Sequence, residues 1–216
     1  MNYFILGDIH GCYFTFCKML ENWDPLHETL ISVGDLIDRG QHSAQTIQDC
    51  MLLSQKYPNT VFLKGNHEAE LAEHLRSGYN ENWIRQGGLK TLTDFIDKNI
   101  SLPELSEWIQ KMPLRFETET LLVTHAGVAD NVHAFEENHN DSVLWNRKPL
   151  QNIGKLQVHG HTPLKATQPA YNATSNSWNI DTGIYQGPYG LSGIKLDSTG
   201  TLLNTFFVPT DPRDLA

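Results

Sequence analysis

An α/β fold is what this sequence predicts, and three observations carry it. Short apolar runs recur, each ending in glycine or a polar cluster; helical periods lie between the first of them; and no apolar run of membrane-crossing length interrupts the pattern. Runs of four or five β-formers bounded by glycine read as buried strands. Strands alternating with helices read as βαβ units around a largely parallel sheet.

The first strand is Asn2-Tyr3-Phe4-Ile5-Leu6, which runs into Gly7-Asp8. Phe16, Met19, Leu20 and Trp23 then repeat at i, i+3, i+4, i+7, the spacing of one helix face. Thr29-Leu30-Ile31-Ser32-Val33 leads to Gly34-Asp35, and Ala44, Ile47, Met51 and Leu52 mark a second helix. Thr60-Val61-Phe62-Leu63-Lys64 leads to Gly65-Asn66-His67-Glu68. The stretch from about 68 to 112 is helical: Leu89, Leu92 and Ile96 share a face, as do Leu102, Leu105 and Ile109, with Ser101 and Glu104 as a capping box. It predicts a helical cap inserted in a single domain spanning 1–216. Two further strands, 120–124 and 155–158, end in His125-Ala126-Gly127 and His159-Gly160-His161. The segments 177–180, 190–196 and 201–208 complete the chain as strands with an antiparallel look.

Composition bounds the function. The 216 residues carry 16 Lys+Arg against 25 Asp+Glu, a net charge of −9, with 39% hydrophobic and 19% charged residues. That is an ordinary globular chain long enough to bury a core, not a disordered one. Its acidic balance argues against nucleic-acid or membrane partners held by overall charge, but leaves room for a local cationic pocket. The apolar run Tyr3–Leu6 stops at Gly7-Asp8, so no signal peptide is expected. Cys12, Cys17 and Cys50 lack the C-x-x-C spacing of a zinc or redox site. Reduced thiols and a cytoplasmic monomer are the expectation.

Ligands of open α/β sheets bind beyond the carboxyl ends of the strands. If these strands lie side by side, Asp8, His10, Asp35, Asp38, Asn66, His67, His125 and His161 converge on one rim. Oxygen donors mixed with imidazoles suit Mn²⁺, Fe or Zn²⁺ better than Ca²⁺. The inventory exceeds what one ion can use, so two divalent ions are expected; such a pair generates hydroxide at neutral pH and clamps a displacement at phosphorus. Arg39, Lys64 and Arg147 sit among these clusters, and arginine suits bidentate recognition of phosphate oxygens.

Gly7-Asp8-Ile9-His10-Gly11, Gly34-Asp35-Leu36-Ile37-Asp38-Arg39-Gly40 and Gly65-Asn66-His67-Glu68 resemble the three signature motifs of the PPP family of serine/threonine phosphatases. Val123–Gly127, Gly160-His161-Thr162-Pro163 and Ile180-Asp181-Thr182-Gly183 resemble the later motifs of its bacterial and phage branch. The resemblance runs in order from residue 4 to about 196. It implies a calcineurin-like metallophosphoesterase fold: a sandwich of two mixed β-sheets flanked by helices. It implies that Asp8 and His10 bind a first metal, that Asp35 bridges both, and that Asn66, His125 and His161 complete the second, with manganese the leading candidate. His67, held by Asp38, would protonate the leaving alkoxide; Arg39, Arg147 and Asn66 would dock phosphate; a hydroxide bridging the ions would attack directly. The substrates implied are phosphoserine and phosphothreonine in proteins, with phosphotyrosine possible.

Relatives that cleave diadenosine tetraphosphate symmetrically keep the same fold but typically show A-R-G where this chain has Asp38-Arg39-Gly40, so that activity stands as the alternative. Two departures from the family pattern stand out: Lys64 where many relatives have a phosphate-contacting arginine, and Gln86 for asparagine in Trp83-Ile84-Arg85-Gln86-Gly87-Gly88. His159, one pleat from the rim, reads as a packing residue, Glu68 as a loop anchor and Cys12 as a small buried hydrophobe. His27, His42, His74, His133 and His139 read as solvated surface. The turn 186–190 fits either a plain loop or a substrate contact.

Overall fold

A computed structural model describes residues 1–215. The first βαβ units run β1 (Asn2–Leu6), α1 (Tyr13–Leu20), β2 (Glu28–Ser32), α2 (Ser43–Lys56) and β3 (Thr60–Phe62). A helical stretch follows, with α3 (Asn66–Ser77), the short turn α4 (Glu81–Trp83), a π-turn at Ile84–Gly88, α5 (Leu89–Asp97) and α6 (Leu102–Lys111). Next come β4 (Arg115–Glu117), β5 (Leu121–Thr124) and β6 (Leu156–His159). The chain closes with β7 (Ala170–Asn172), β8 (Ser177–Asn179), β9 (Gly190–Leu196) and β10 (Leu202–Pro209).

Two five-stranded sheets result, in the orders β10-β9-β1-β2-β3 and β4-β5-β6-β8-β7. Strands β1, β2 and β3 are parallel, as the alternating pattern predicts. The last third is not uniformly antiparallel: β9 pairs antiparallel with β1 and β10, while β8 pairs parallel with β6. Both sheets are therefore mixed. Strands β4 and β7, three residues each, are edge strands too short for a periodic signal.

The continuous apolar runs follow from burial on both faces. Ile5, Ile31, Val33 and Leu63 share one cluster with Leu121, Val123, Val158 and Ile180, so the two sheets pack face to face. Phe4, Leu6 and Leu30 point the other way, into a second cluster with Phe16, Met19, Ile47, Leu71 and Leu105 from the helices. Each such side chain contributes about 1.5–3 kcal/mol on burial. Helix α6 buries Leu105 and Ile109 as predicted, but α5 buries Thr91 and Phe95 while Leu89 and Ile96 are exposed. Ser101 occupies the N-cap position of α6 without making a side-chain capping bond. Among the described residues no helix is long and apolar enough to cross a membrane.

Candidate active site

The polar clusters leave β1, β2 and β3 in one sheet and β5 and β6 in the other, so the rim lies where the two sheets open together. The backbone there is held in an uncommon shape. Among the described residues, His10, Asp35, Asp38, Arg39 and His161 all have positive φ, between 47° and 69°, a region that Asp and His visit more readily than Arg. Strain of this kind persists only where the surroundings over-determine it. Part of that determination comes from Glu68, which is wholly buried and accepts the backbone N–H groups of Asp35 at 2.9 Å, Leu36 at 2.8 Å and Gly65 at 2.9 Å. It ties the β2 exit to the start of α3, the anchoring role expected of it.

Asp35 stands at the centre. Its Oδ2 lies 3.7 Å from His10 Nε2 and its Oδ1 lies 3.4 Å from His125 Nε2. On the first side, Asp8 Oδ2 is 4.0 Å from the same His10 nitrogen. On the second, Asn66 Oδ1 lies 2.9 Å from both His125 Nε2 and His161 Nδ1, and those two nitrogens are 3.1 Å apart.

Tautomers decide what these gatherings are. His125 Nδ1 faces the Val33 carbonyl at 3.0 Å, and His10 Nδ1 faces the Ile37 carbonyl at 3.1 Å. A carbonyl only accepts, so both Nδ1 atoms carry the proton and both Nε2 atoms present bare lone pairs to the centre. His125 Nε2 thus confronts the Asn66 and Asp35 oxygens, acceptor against acceptor. His161 Nε2 and Asp181 Oδ2 are buried without a partner. A buried set of lone pairs aimed at one another is unfavourable alone and is resolved by cations, so the residues present fit divalent metals.

The electrostatics agree. Burial, then Asp181 and Asp35, push the Asp8 carboxyl well above the usual carboxylate range. Burial and Asp35 push Glu68 up to about 7, and burial foremost brings Asp181 to about 7. Burial holds the His10, His125 and His161 imidazoles down to about 3, in the neutral form that binds metal. His67 goes the other way. Burial opposes its charged form, but Asp35 and the Asp38 carboxylate, 2.6 Å from Nδ1, override it and raise it to about 9. Asp38 takes the Nδ1 side of the ring, and His67 Nε2 faces the centre within 3.9 Å of Asp35 Oδ2.

The calcineurin-like phosphoesterase family model matches residues 1–187. The chain belongs to that family. Serine/threonine-protein phosphatase 1 of Salmonella typhimurium is 30% identical over 206 residues, covering 88% of this chain and 91% of the relative. The symmetrical bis(5'-nucleosyl)-tetraphosphatase of Haemophilus ducreyi is 29% identical over 135 residues, which is 58% of this chain and 45% of the relative. The cold-active protein-tyrosine phosphatase of a Shewanella species superposes with a TM-score of 0.71 at 14% identity, over 96% of this chain and 80% of that one, a likeness of fold.

In this phosphoesterase the cationic residues are placed unequally. Arg39 is exposed at the rim, donates to Gln86 Oε1 at 3.2 Å and lies 5.5 Å over the Tyr185 ring. Arg147, also exposed, reaches Thr162 Oγ1 at 3.5 Å. Lys64 is buried and bonds Glu137 at 2.8 Å, so its ammonium is committed to a carboxylate rather than free for phosphate. His159 stays out of the cluster: its Nδ1 is 3.1 Å from the Gly160 carbonyl, and burial lowers it to about 4. Cys12 is fully buried, as expected. Of the five histidines read as surface, His42 bonds the Arg213 carbonyl at 2.9 Å and His74 packs 4.9 Å from Trp83. Trp83 and Asp181, which lie in stretches that the resemblance covers but to which it assigns no role, also border the site, as do Thr91 and Tyr185, for which the sequence carries no signal.

Proposed function

We propose that the chain is a serine/threonine protein phosphatase, removing phosphate from phosphoserine and phosphothreonine by direct displacement at phosphorus. The observation that supports this choice most is the buried pair His67 and Asp38, 2.6 Å apart. A serine alkoxide is a poor leaving group and requires a proton as the bond to phosphorus breaks, whereas a nucleoside diphosphate leaves readily without one. An acid held by a dedicated carboxylate serves the first reaction.

Asp8, His10 and Asp35 would hold one divalent ion, and Asp35, Asn66, His125 and His161 a second, manganese in our reading. When bound, the ions supply Lewis acidity toward water and the phosphoryl oxygens. The chain's own side chains do the rest. Arg39 and Arg147 donate to the phosphate oxygens from the rim and orient the ester, with Asn66 assisting through its amide. His67 gives its Nε2 proton to the departing alkoxide oxygen, while Asp38 keeps the opposite nitrogen protonated and the ring aimed. The reading includes a cytoplasmic monomer acting on phosphoproteins, without nucleic-acid or membrane partners.

Symmetrical hydrolysis of diadenosine tetraphosphate is the second reading, favoured by the matches to enzymes of that name over 58% of the chain. The purified protein with Mn²⁺, given a phosphoserine peptide and diadenosine tetraphosphate in parallel, separates the two. We expect the higher kcat/KM on the peptide; faster release of ADP would overturn the choice.

A further inference from the structure

The stretch Trp83–Gly88, together with α5 behind it, lies over the acid and its carboxylate. Asp38 is wholly buried, and His67 is not its only partner. Trp83 Nε1 donates to Asp38 Oδ2 at 2.7 Å, the oxygen that also receives His67 Nδ1. Thr91 Oγ1 donates to Asp38 Oδ1 at 2.5 Å. Behind Thr91, Ser43 Oγ lies 3.3 Å away and accepts the Asp38 backbone N–H at 3.0 Å.

The local sequence is shaped to bring these donors in. Gly87 has φ +117°, and a Cβ there would sit 3.3 Å from the Arg39 nitrogen. A Cβ on Gly88 would collide with the Trp83 indole. The two glycines therefore let the turn fold flat across Asp38-Arg39, with the indole packed beneath it. Gln86 uses the same approach: it accepts from Arg39 at 3.2 Å and donates to Glu70 Oε2 at 2.8 Å.

We propose that Trp83 and Thr91, both supplied by the helical insertion, are positioning residues for the proton donor, fixing the Asp38 carboxylate in the orientation that holds His67 toward the leaving group. The inference rests on His67 being that donor. A carboxylate bound on one oxygen only is free to swing about its Cβ–Cγ bond. Donors on both oxygens remove that freedom, and low local dielectric strengthens each bond. The His67 ring inherits the order, because its other polar neighbour, Asp35 Oδ2, is 3.9 Å away.

Three variants test it in the manganese-loaded enzyme: Thr91→Val, which keeps the shape and loses the hydroxyl, Thr91→Ser, which restores a donor, and Trp83→Phe. Each is assayed on a phosphoserine peptide and on p-nitrophenyl phosphate, whose leaving group needs little protonation. Thr91→Val should lower kcat on the peptide roughly tenfold, a fraction of the about 10²–10⁴ that a positioned acid contributes, with KM unchanged and about twofold or less lost on p-nitrophenyl phosphate. Thr91→Ser should recover the peptide rate, and Trp83→Phe should move the ratio of the two substrates in the same direction as Thr91→Val. Equal losses on both substrates, no loss, or a Thr91→Ser as impaired as Thr91→Val would overturn the proposal. His67→Asn is the reference. If it discriminates between the substrates and Thr91→Val does not, the positioning role alone falls; if His67→Asn fails to discriminate, the acid assignment falls and takes the inference with it.

Discussion

Asp35 divides its carboxylate between two histidines, with Oδ2 3.7 Å from His10 Nε2 and Oδ1 3.4 Å from His125 Nε2. Each nitrogen presents a lone pair, so the aspartate joins the two donor groups, which also meet where the His161 backbone N–H donates to Asp8 Oδ2 at 3.1 Å. Asp35→Asn replaces one of those oxygens with an N–H donor and spoils one group whichever way the amide turns. Activity should fall roughly 100-fold or more, and tightly held metal should drop below two ions per chain by elemental analysis. A variant that keeps both ions and its full rate would remove the bridge.

His67 touches only the leaving group in the proposed reaction. His67→Asn should therefore reduce kcat on a phosphoserine peptide by about 10²–10⁴, and by far less on p-nitrophenyl phosphate. The comparison is made at saturating substrate and manganese. Matching reductions would mean that His67 serves the ions or the nucleophile instead.

The side chains that gather at the rim were legible because each lies within four residues of a strand end: Asp8 after β1, Asp35 after β2, Asn66 after β3, His125 after β5, His161 after β6. A strand fixes where its exit points, so a motif at that exit maps onto a place. Helix α5 forms where its periodicity places it and packs Leu92 on the core, but the rest of its packed face was illegible for the opposite reason. The periodicity rule assumes an apolar inner face, but the inner face carries Thr91, committed to Asp38, beside Phe95. Leu89 and Ile96 then fall on the outside. The Trp83 contact with Asp38 spans 45 residues, and no local window contains it. Sheet pairing was legible where βαβ connections dictate it and illegible for β6 and β8, which pair in parallel across the β7 excursion.

Arg39 projects from a left-handed backbone at φ +68° and is steadied by Gln86 and the face of Tyr185. It is exposed, so its loss should leave the fold intact. Arg39→Ala should raise KM for phosphopeptide, and the inhibition constant for inorganic phosphate, by about tenfold each, the scale of one charge-assisted contact. Both constants come from the same steady-state assay. Unchanged values would mean that the guanidinium does not meet the phosphate.

His159 offers a test of pH dependence outside the donor cluster, in a cavity that it lines with Arg147 and Thr162. Burial lowers its pKa from the ordinary 6.5 to about 4, so between those values the unfolded chain binds a proton that the folded chain refuses. Its contribution to stability is complete above pH 6.5 and is lost as pH falls toward 4. His159→Gln cannot titrate and should lose less stability than the parent between pH 7 and pH 5. Urea unfolding of both proteins at both pH values gives the double difference, in which the titrations shared by the two chains cancel. Parallel losses would show that His159 takes its proton without unfolding.

Helix α1 starts at Tyr13 without a side-chain cap of its own, because Cys12 supplies none. Asp214 does the work from the far end of the chain. Its buried carboxylate accepts the Phe14 N–H at 3.0 Å, the Thr15 N–H at 2.9 Å and the Thr15 hydroxyl at 2.6 Å. These are charge-assisted bonds at a helix N-terminus, where the peptide dipoles also favour a negative charge. Removing them leaves buried donors unpaired, so Asp214→Ala should cost about 2–3 kcal/mol and lower Tm by several degrees. Asp214→Asn keeps one oxygen acceptor and should lose roughly half as much. Since Asp214 holds no ion and touches no phosphate in the proposed reaction, kcat measured well below the lowered Tm should be unchanged. A loss of kcat at full folding would mean that the closing turn also shapes the β1 exit that carries Asp8 and His10.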